Sequence, residues 1–505
     1  MKRLAIVAAL MVAATNAVSI SWTGYGGDNQ WTNTINWSPD QVPGTDDDVT
    51  IASGIVQVTI PTGVNSLVMG TSFSAPANLT VFQSFFIGTG GMQVEGNGNL
   101  FINSGSASVS GQVTIGGNLY FQSGQISGQW TINTRGVADL SGAAEKVLTG
   151  CQFISSATSF GFSGVLVLNQ SSQVIVRTAV VFSGDASVQA QDSTSVLFDS
   201  SLGTLTYSGN GDFQIMAPFH FGVFDFIGGN VTIYDEVAFV NPLVIPSGSF
   251  VSSVGTAVAN FSAGVRGAGV LTGAGSNLIL GNTTLSGAVN VVGGNVTFVG
   301  AGSTIGTLTI SGGYLVLNNQ VAATQLNFLA GNVVGSSTLT AAQLYLSSAG
   351  FNLDSAVVAT KSAAVGGLLA FGSTGALTIG SAATLTTLAS ITFTGAPGPT
   401  VTNLGNLSIT APTVFQNINL EGSGNLYTST TVFFQTATLT QTAVILSGAG
   451  IFKGANTRIL VIGRVAASTA PSVSATIGAF SFTCPTECDD VSTSGTPTDN
   501  FNFSS

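Results

Sequence analysis

Charge is what this chain has least of. Only 6% of its 505 residues are Asp, Glu, Lys or Arg, against about a quarter in an average soluble protein, so helices with Glu- and Lys-rich solvent faces are excluded as its main element. Of the 10 basic residues, the eight beyond Lys2 and Arg3 are scattered singly beside 21 acidic ones. No stripe exists to neutralise a phosphate backbone, which excludes nucleic acid and an anionic membrane surface as partners. Histidine occurs once, at His220, and cysteine three times, at Cys151, Cys484 and Cys488. A single histidine excludes His-rich metal centres and leaves any catalytic triad dependent on one side chain. Three cysteines do not staple a scaffold of this length. Cofactors are not expected. Beyond the first residues no apolar run approaches the ~18 residues of a membrane helix.

What is abundant is glycine (65 residues), phenylalanine (32) and, overall, hydrophobic residues at 44%. Together with many Ser, Thr, Asn and Val, this suits short strands joined by tight turns. The organising stretch is Gly98-Asn99-Leu100-Phe101-Ile102. It recurs as Gly117-Asn118-Leu119, Gly229-Asn230-Val231, Gly294-Asn295-Val296, Gly405-Asn406-Leu407 and Gly424-Asn425-Leu426, with looser copies at Asn78, Asn277, Tyr314 and Asn332. Positions 78, 99 and 118 are 21 and 19 apart, positions 277, 295, 314 and 332 are 18, 19 and 18 apart, and 406 and 425 are 19 apart. A period near twenty marks a repeat in which each unit buries its apolar face only by stacking on the next. The expected fold is all-β: one long, right-handed parallel β-solenoid of about 20 residues per coil, some twenty coils in all, with an N-terminal cap. Inward Val, Ile, Leu and Phe form ladders, and the asparagines of the turns stack likewise. From about 135 to 228 the Gly-Asn copies are absent and the register cannot be followed.

In chain order, residues 1–19 read as a secretory signal peptide: Lys2 and Arg3, an apolar run to residue 14, and small residues at Ala17 and Ser19. Its removal takes the formal net charge from -11 to -13, by the loss of Lys2 and Arg3. The expected localisation is extracellular or cell-surface, without membrane insertion after cleavage. Residues 20–60 hold three of the four tryptophans, Trp22, Trp31 and Trp37, in a run continuing through Asn36-Trp37-Ser38 and Pro43-Gly44 to Asp46-Asp47-Asp48-Val49-Thr50-Ile51. Two readings are open. Bulky residues can cap an open solenoid end, and exposed indole faces can stack on sugar rings, which makes the three tryptophans glycan-binding candidates. Residues 61–465 carry the repeat, and 466–505 decay into a cap remnant and a Ser/Thr-rich tail.

The W…W…NWS…P…DDVTI pattern resembles the segment that begins the β-helical part of secreted bacterial surface proteins, autotransporter-like passengers and pectin-lyase-like adhesins. It is also similar to the β-helical wall lectins of amoebae. The likeness covers about thirty residues and the texture downstream. It implies a secreted structural or adhesive protein whose partners are cell-wall or matrix polysaccharides.

The alternative is a polysaccharide lyase or glycoside hydrolase. Asp185, Asp192, Asp199, Asp212, Asp225, Asp235 and Glu236 cluster around His220. Asp192 and Asp212 are one coil apart, as are Asp199 and His220 to within a residue, and one coil places side chains ~5 Å apart, within reach of paired catalytic carboxylates. Against this stand the plain alternation of His220 with Phe219 and Phe221, which reads as an outward strand position, and the presence of only Arg177 and Arg266 nearby. The expectation is therefore no enzyme. An ice-binding Thr ladder would need T-x-T to recur with the coil, and Thr307-Leu-Thr309 does not. N-glycosylation sequons fall at Asn78, Asn169, Asn230, Asn260, Asn282, Asn295, Asn406 and Asn502, with a poorer one at Asn36 ahead of Pro39; the same grammar of turn Asn and strand Thr produces them without any glycan. Cys484 and Cys488 are spaced for a small structural disulfide, and Cys151, among apolar neighbours, for a buried free thiol.

Overall fold

The computed structural model describes residues 17–502, except 134–135, 192–196, 347–350, 372–374, 396–398, 436–437, 447–450, 456–457, 468–471, 477–480 and 483–498; side chains are described to Leu439, except 351–355, 361–369, 431 and 434–438. The signal-peptide segment up to residue 16, Asp192, Cys484 and Cys488 lie outside the described residues, as does the side chain of Asn502. The chain is all-β, with about 1% helix. It divides into two compact units: residues up to Thr206 together with Met216–His220, and Tyr207–Ile215 together with Phe221 onward. Each is a parallel β-solenoid, and the described residues make about 18 turns of roughly 20 residues.

In the first unit every turn supplies strands to three runs of parallel pairing. One starts at Asp48–Ile51, which pairs with residues 66–69 and is continued by 91–94, 112–115, 129–132, 152–155 and Gln173–Val176. The second runs through Gly54–Val58, Ala77–Val81, Gly98–Ile102, Asn118–Phe121 and Val137–Leu140. The third holds residues 62–64, 84–87, 106–109, 124–127 and 146–149. Parallel pairing already begins inside segment 20–60, where Ser19 to Ser21 lie beside Asp48 to Thr50. Trp22 and Trp37 are paired antiparallel.

The register follows from the alternation of the sequence. Leu79, Leu100, Leu119 and Ala138 stand one above another, all buried, while their chain neighbours point out. A slip of one residue would turn every such ladder into solvent, so the apolar face holds the pairing in place. Phenylalanines continue the ladders: Phe162, Phe182, Phe198 and Phe219 are spaced 4.7, 5.8 and 4.4 Å apart in the first unit, and Phe221, Phe239 and Phe261 at 4.4 and 4.7 Å in the second. Each ring buried in this way contributes about 1.5–3 kcal/mol.

Turn length varies where the sequence period disappears. Asn99 pairs with Asn118, 19 residues on, but Val137 pairs with Ser159 after 22 and Gln173 with Leu197 after 24. After Val137 the extra residues go into the corner 141–145, and a register shift stands between Phe162 and Gly164, because a corner can lengthen without disturbing the strand above or below. This is why fewer turns form than a uniform period predicts.

The asparagines form ladders, but on strands and not in turns. Asn99 Nδ2 donates to Asn78 Oδ1 at 2.7 Å and Asn118 Nδ2 to Asn99 Oδ1 at 2.7 Å; Asn295 donates to Asn277 and Asn425 to Asn406, each at 3.0 Å. Gly117, Gly294 and Gly405 stand just before their strands, which leaves Asn118, Asn295 and Asn406 as the first strand residues. Cys151 is a buried free thiol, and burial pushes it up to about 12, so it is inert towards thiolate chemistry.

Candidate functional site

Trp22, Trp31 and Trp37 form one edge-to-face cluster, with Trp37 centred 4.8 Å from each of the other two rings and Trp31 5.3 Å from Phe85. Exposure is 9% for Trp22, 0% for Trp31 and 1% for Trp37. Trp37 Nε1 donates to the Trp31 carbonyl at 2.8 Å. Rings packed in this way leave no open face for a sugar to stack on; they seal apolar surface.

The loop around the cluster is tied by Asp28 and Asn36. Asp28 Oδ1 accepts from the Gln30 N–H (3.1 Å) and Asn36 Nδ2 (2.7 Å), and Oδ2 accepts from Asn33 Nδ2 (2.9 Å). Asn36 is fully buried; its Oδ1 accepts from the Gly26 N–H at 2.7 Å and its Nδ2 also donates to the Gln30 carbonyl. The poorer sequon is thus closed to a glycan. The Gln30 backbone bond first, then the amides of Asn36 and Asn33, hold the Asp28 carboxyl below the usual carboxylate range. A folded value below the unfolded one stabilises fully above the unfolded pKa, near ~3.9, and the contribution is lost as pH falls through the folded value. Tryptophan emission should therefore stay constant from neutrality down to about pH 4 and shift to the red below it. Asp28→Asn should remove the acid-dependent part of that shift; an unchanged acid transition in the variant would exclude Asp28 as its origin.

Asp192, the carboxylate expected to pair with Asp212, lies outside the described residues, and the described Asp199 and Asp212 are engaged by neighbouring donors. Asp199 lies beside Ile175 and accepts from the Ser201 N–H at 2.8 Å. His220 is exposed at the start of the strand Phe219–Ile233, and its carbonyl accepts from Ser200 Oγ at 3.0 Å. Asp212 accepts from Thr232 Oγ1 (2.9 Å) and Gln214 Nε2 (3.1 Å), so a hydroxyl occupies the position one turn on. Among the described residues no group of three or more His, Cys, Asp or Glu is placed to hold a metal ion.

The extended feature is an array of outward amides and hydroxyls. In the first unit Gln112, Gln129, Gln152 and Gln173 are register partners in successive turns, the first three exposed. Two positions along the same strands, Gln93, Thr114 and Thr131 form a second row. In the second unit Thr232, Ser252, Thr272, Asn290, Thr309 and Asn327 follow one another turn by turn, Asn290 donating to Thr272 and Asn327 to Thr309 at 3.3 and 3.4 Å. Rows repeat at the strand spacing, ~4.8 Å.

Comparison with protein-family models, curated proteins and solved structures found no match. The architecture is that of a β-helix repeat protein. The β-solenoid serves both enzymes and non-enzymes, so the fold alone assigns no activity.

The polar rows escaped the sequence because neighbours in one row are separated by an irregular 17 to 23 positions, and in the second unit they also differ in type. The retrievable signal was Gln-x-Thr-Ile, present at 112–115 and 129–132. Thr309 does belong to a row, but Asn stands on either side of it, so no Thr ladder forms there. Of the sequon asparagines, Asn78, Asn230, Asn260, Asn295 and Asn406 are strand residues, Asn169 ends a strand, and Asn282 is exposed outside any strand.

Proposed function

We propose that this is a secreted structural or adhesive surface protein that holds cell-wall or matrix polysaccharide along the outward polar rows of its solenoid, without catalysing a reaction. The observation that carries the reading is the Gln112, Gln129, Gln152 and Gln173 row. Each exposed amide both donates and accepts, as a sugar hydroxyl does, and a parallel solenoid repeats the group at a fixed interval on a rigid support. Many weak contacts at regular spacing suit a polymer better than a small molecule. The near absence of charge on these rows fits a neutral partner, and the signal-peptide pattern supports an extracellular setting.

The test is co-sedimentation of the purified protein with insoluble cellulose, chitin and pectin, with release of soluble sugar assayed in the supernatant. The protein is expected in the pellet with no sugar released. Gln112→Ala, Gln129→Ala and Gln152→Ala combined should cut the bound fraction several-fold at unchanged melting temperature, since exposed substitutions of this kind cost within about 0.5 kcal/mol each. Release of sugar, or equal pelleting by the triple variant, would overturn the reading.

A further inference from the structure

The first unit carries a cavity of about 380 Å³ between two successive corner loops, lined by Gly70, Thr71, Phe73, Glu95, Gly96 and Asn97. Its rim is Phe73, which is 100% exposed. A fully solvated phenyl ring is unfavourable unless something covers it. The loop that carries it is not loose. Ser72 N–H donates to the Ala52 carbonyl at 3.1 Å, the Ser72 carbonyl accepts from Asn97 Nδ2 at 2.8 Å, and Ser72 Oγ lies 3.0 Å from Ser74 Oγ. On the other side, Glu95 N–H donates to the Met69 carbonyl and Gly98 N–H to the Glu95 carbonyl, each at 2.8 Å. Gly70, at φ +79°, keeps the floor close: a Cβ there would meet Gly98 N at 2.3 Å. The backbone of the two loops that carry the ring and the polar groups is thus held in place before anything binds.

The polar groups are mostly acceptors. Glu95 Oε1 is taken by Gln93 Nε2, and Asn97 Nδ2 is spent on Ser72; among the described residues Glu95 Oε2 and Asn97 Oδ1 remain open, beside the Thr71 hydroxyl. A ligand must present a flat C–H face to Phe73 and donate hydrogen bonds from its edge. We infer that this cavity binds one pyranose unit of a neutral or amino-sugar glycan and rejects uronic acids. A ring of that type has axial C–H groups on a face and hydroxyl or ammonium donors around its rim. A carboxylate-bearing sugar would meet Glu95, within a chain whose formal net charge is -11, and like charges repel it. The inference rests on the polysaccharide reading above and names the sugar class for it.

The experiment is calorimetric titration of the full chain with three soluble tetramers: β-1,4-linked glucose, β-1,4-linked glucosamine and α-1,4-linked galacturonate. One or both of the first two should bind. Phe73→Ala should weaken that binding about tenfold, with the melting temperature unchanged because the ring touches no core. Galacturonate should bind at least about tenfold more weakly, and Glu95→Gln should narrow that gap. Unaltered affinity in Phe73→Ala, tightest binding by galacturonate, or no binding of either of the other tetramers would each overturn the inference. The two readings fail separately. Pelleting that depends on the glutamine row but not on Phe73 removes this cavity alone, whereas titration through Phe73 in a protein that does not pellet removes the glutamine row alone.

Discussion

Replacing Gly294 by alanine should cost the second unit on the order of 4 kcal/mol, one of the largest effects expected of any single methyl group in this chain. Gly294 sits at φ +68°, and a Cβ there would lie 2.0 Å from the Ser276 carbonyl oxygen. That oxygen accepts the Asn295 N–H at 2.9 Å, so the methyl group forces apart the bond that joins two turns. Gly313 and Gly331 repeat the arrangement against Gly294 and Gly313, their Cβ positions 2.4 and 2.8 Å from those carbonyls. Gly302 provides the control. It has the same backbone sign, φ +71°, but nothing within 4 Å of its Cβ position. Gly302→Ala should therefore cost only the left-handed penalty, about 1–2 kcal/mol. Denaturant melts of both variants decide the matter, and equal losses would show that the close approach between turns contributes nothing.

A second large effect is expected at Lys146. This side chain is completely buried, and its Nζ donates to the carbonyls of Gly142 (2.8 Å), Ala144 (3.0 Å) and Ser163 (3.1 Å), 5.8 Å from the centre of the Phe162 ring. All three N–H donors are used, and one charge ties together three carbonyls around a corner loop. Lys146→Met, similar in length but without donors, should destabilise the first unit by on the order of 3 kcal/mol. Burial lowers the ammonium to about 8, opposed in part by the Asp139 carboxylate. Between about pH 8 and the unfolded value near ~10.4, the unfolded chain then binds more protons than the folded one, so this group makes stability rise with pH across that window and leaves it flat below. Lys146→Met should lack that rise. Stability curves from pH 7 to 10 measure both effects, and a wild type whose stability shows no Lys146-dependent rise would refute the assignment.

Much of the architecture was legible because it is local. The Gly-Asn-Leu pattern places glycine at a corner, asparagine outward and leucine inward, and its recurrence near every twentieth residue can only be satisfied by stacking; the asparagine bonds from Asn78 through Asn118 are the direct result. Where the repeat lengthens to 22 or 24 residues, as after Val137 and Gln173, the same strands form but the period that announces them is lost. The tryptophans were ambiguous for a different reason. Aromatic residues are used alike to seal a core and to bind sugar, and the packing of Trp22, Trp31 and Trp37 against one another, with Phe85 beneath, is a tertiary fact.

By itself, then, the sequence determined the fold class, the approximate repeat and the inward ladders, since alternation and turn chemistry act over a few residues. It also determined that Cys151 is buried, from its apolar neighbours. Only the tertiary structure decided which residues share a row, because register partners such as Gln112, Gln129 and Gln152 are brought together by corner lengths that composition does not encode. It also decided that Lys146 is buried while Phe73 is exposed, the reverse of what their side chains alone would predict. Those reversals arise because a corner loop positions its residues by the backbone bonds of the turns beside it, not by hydrophobicity.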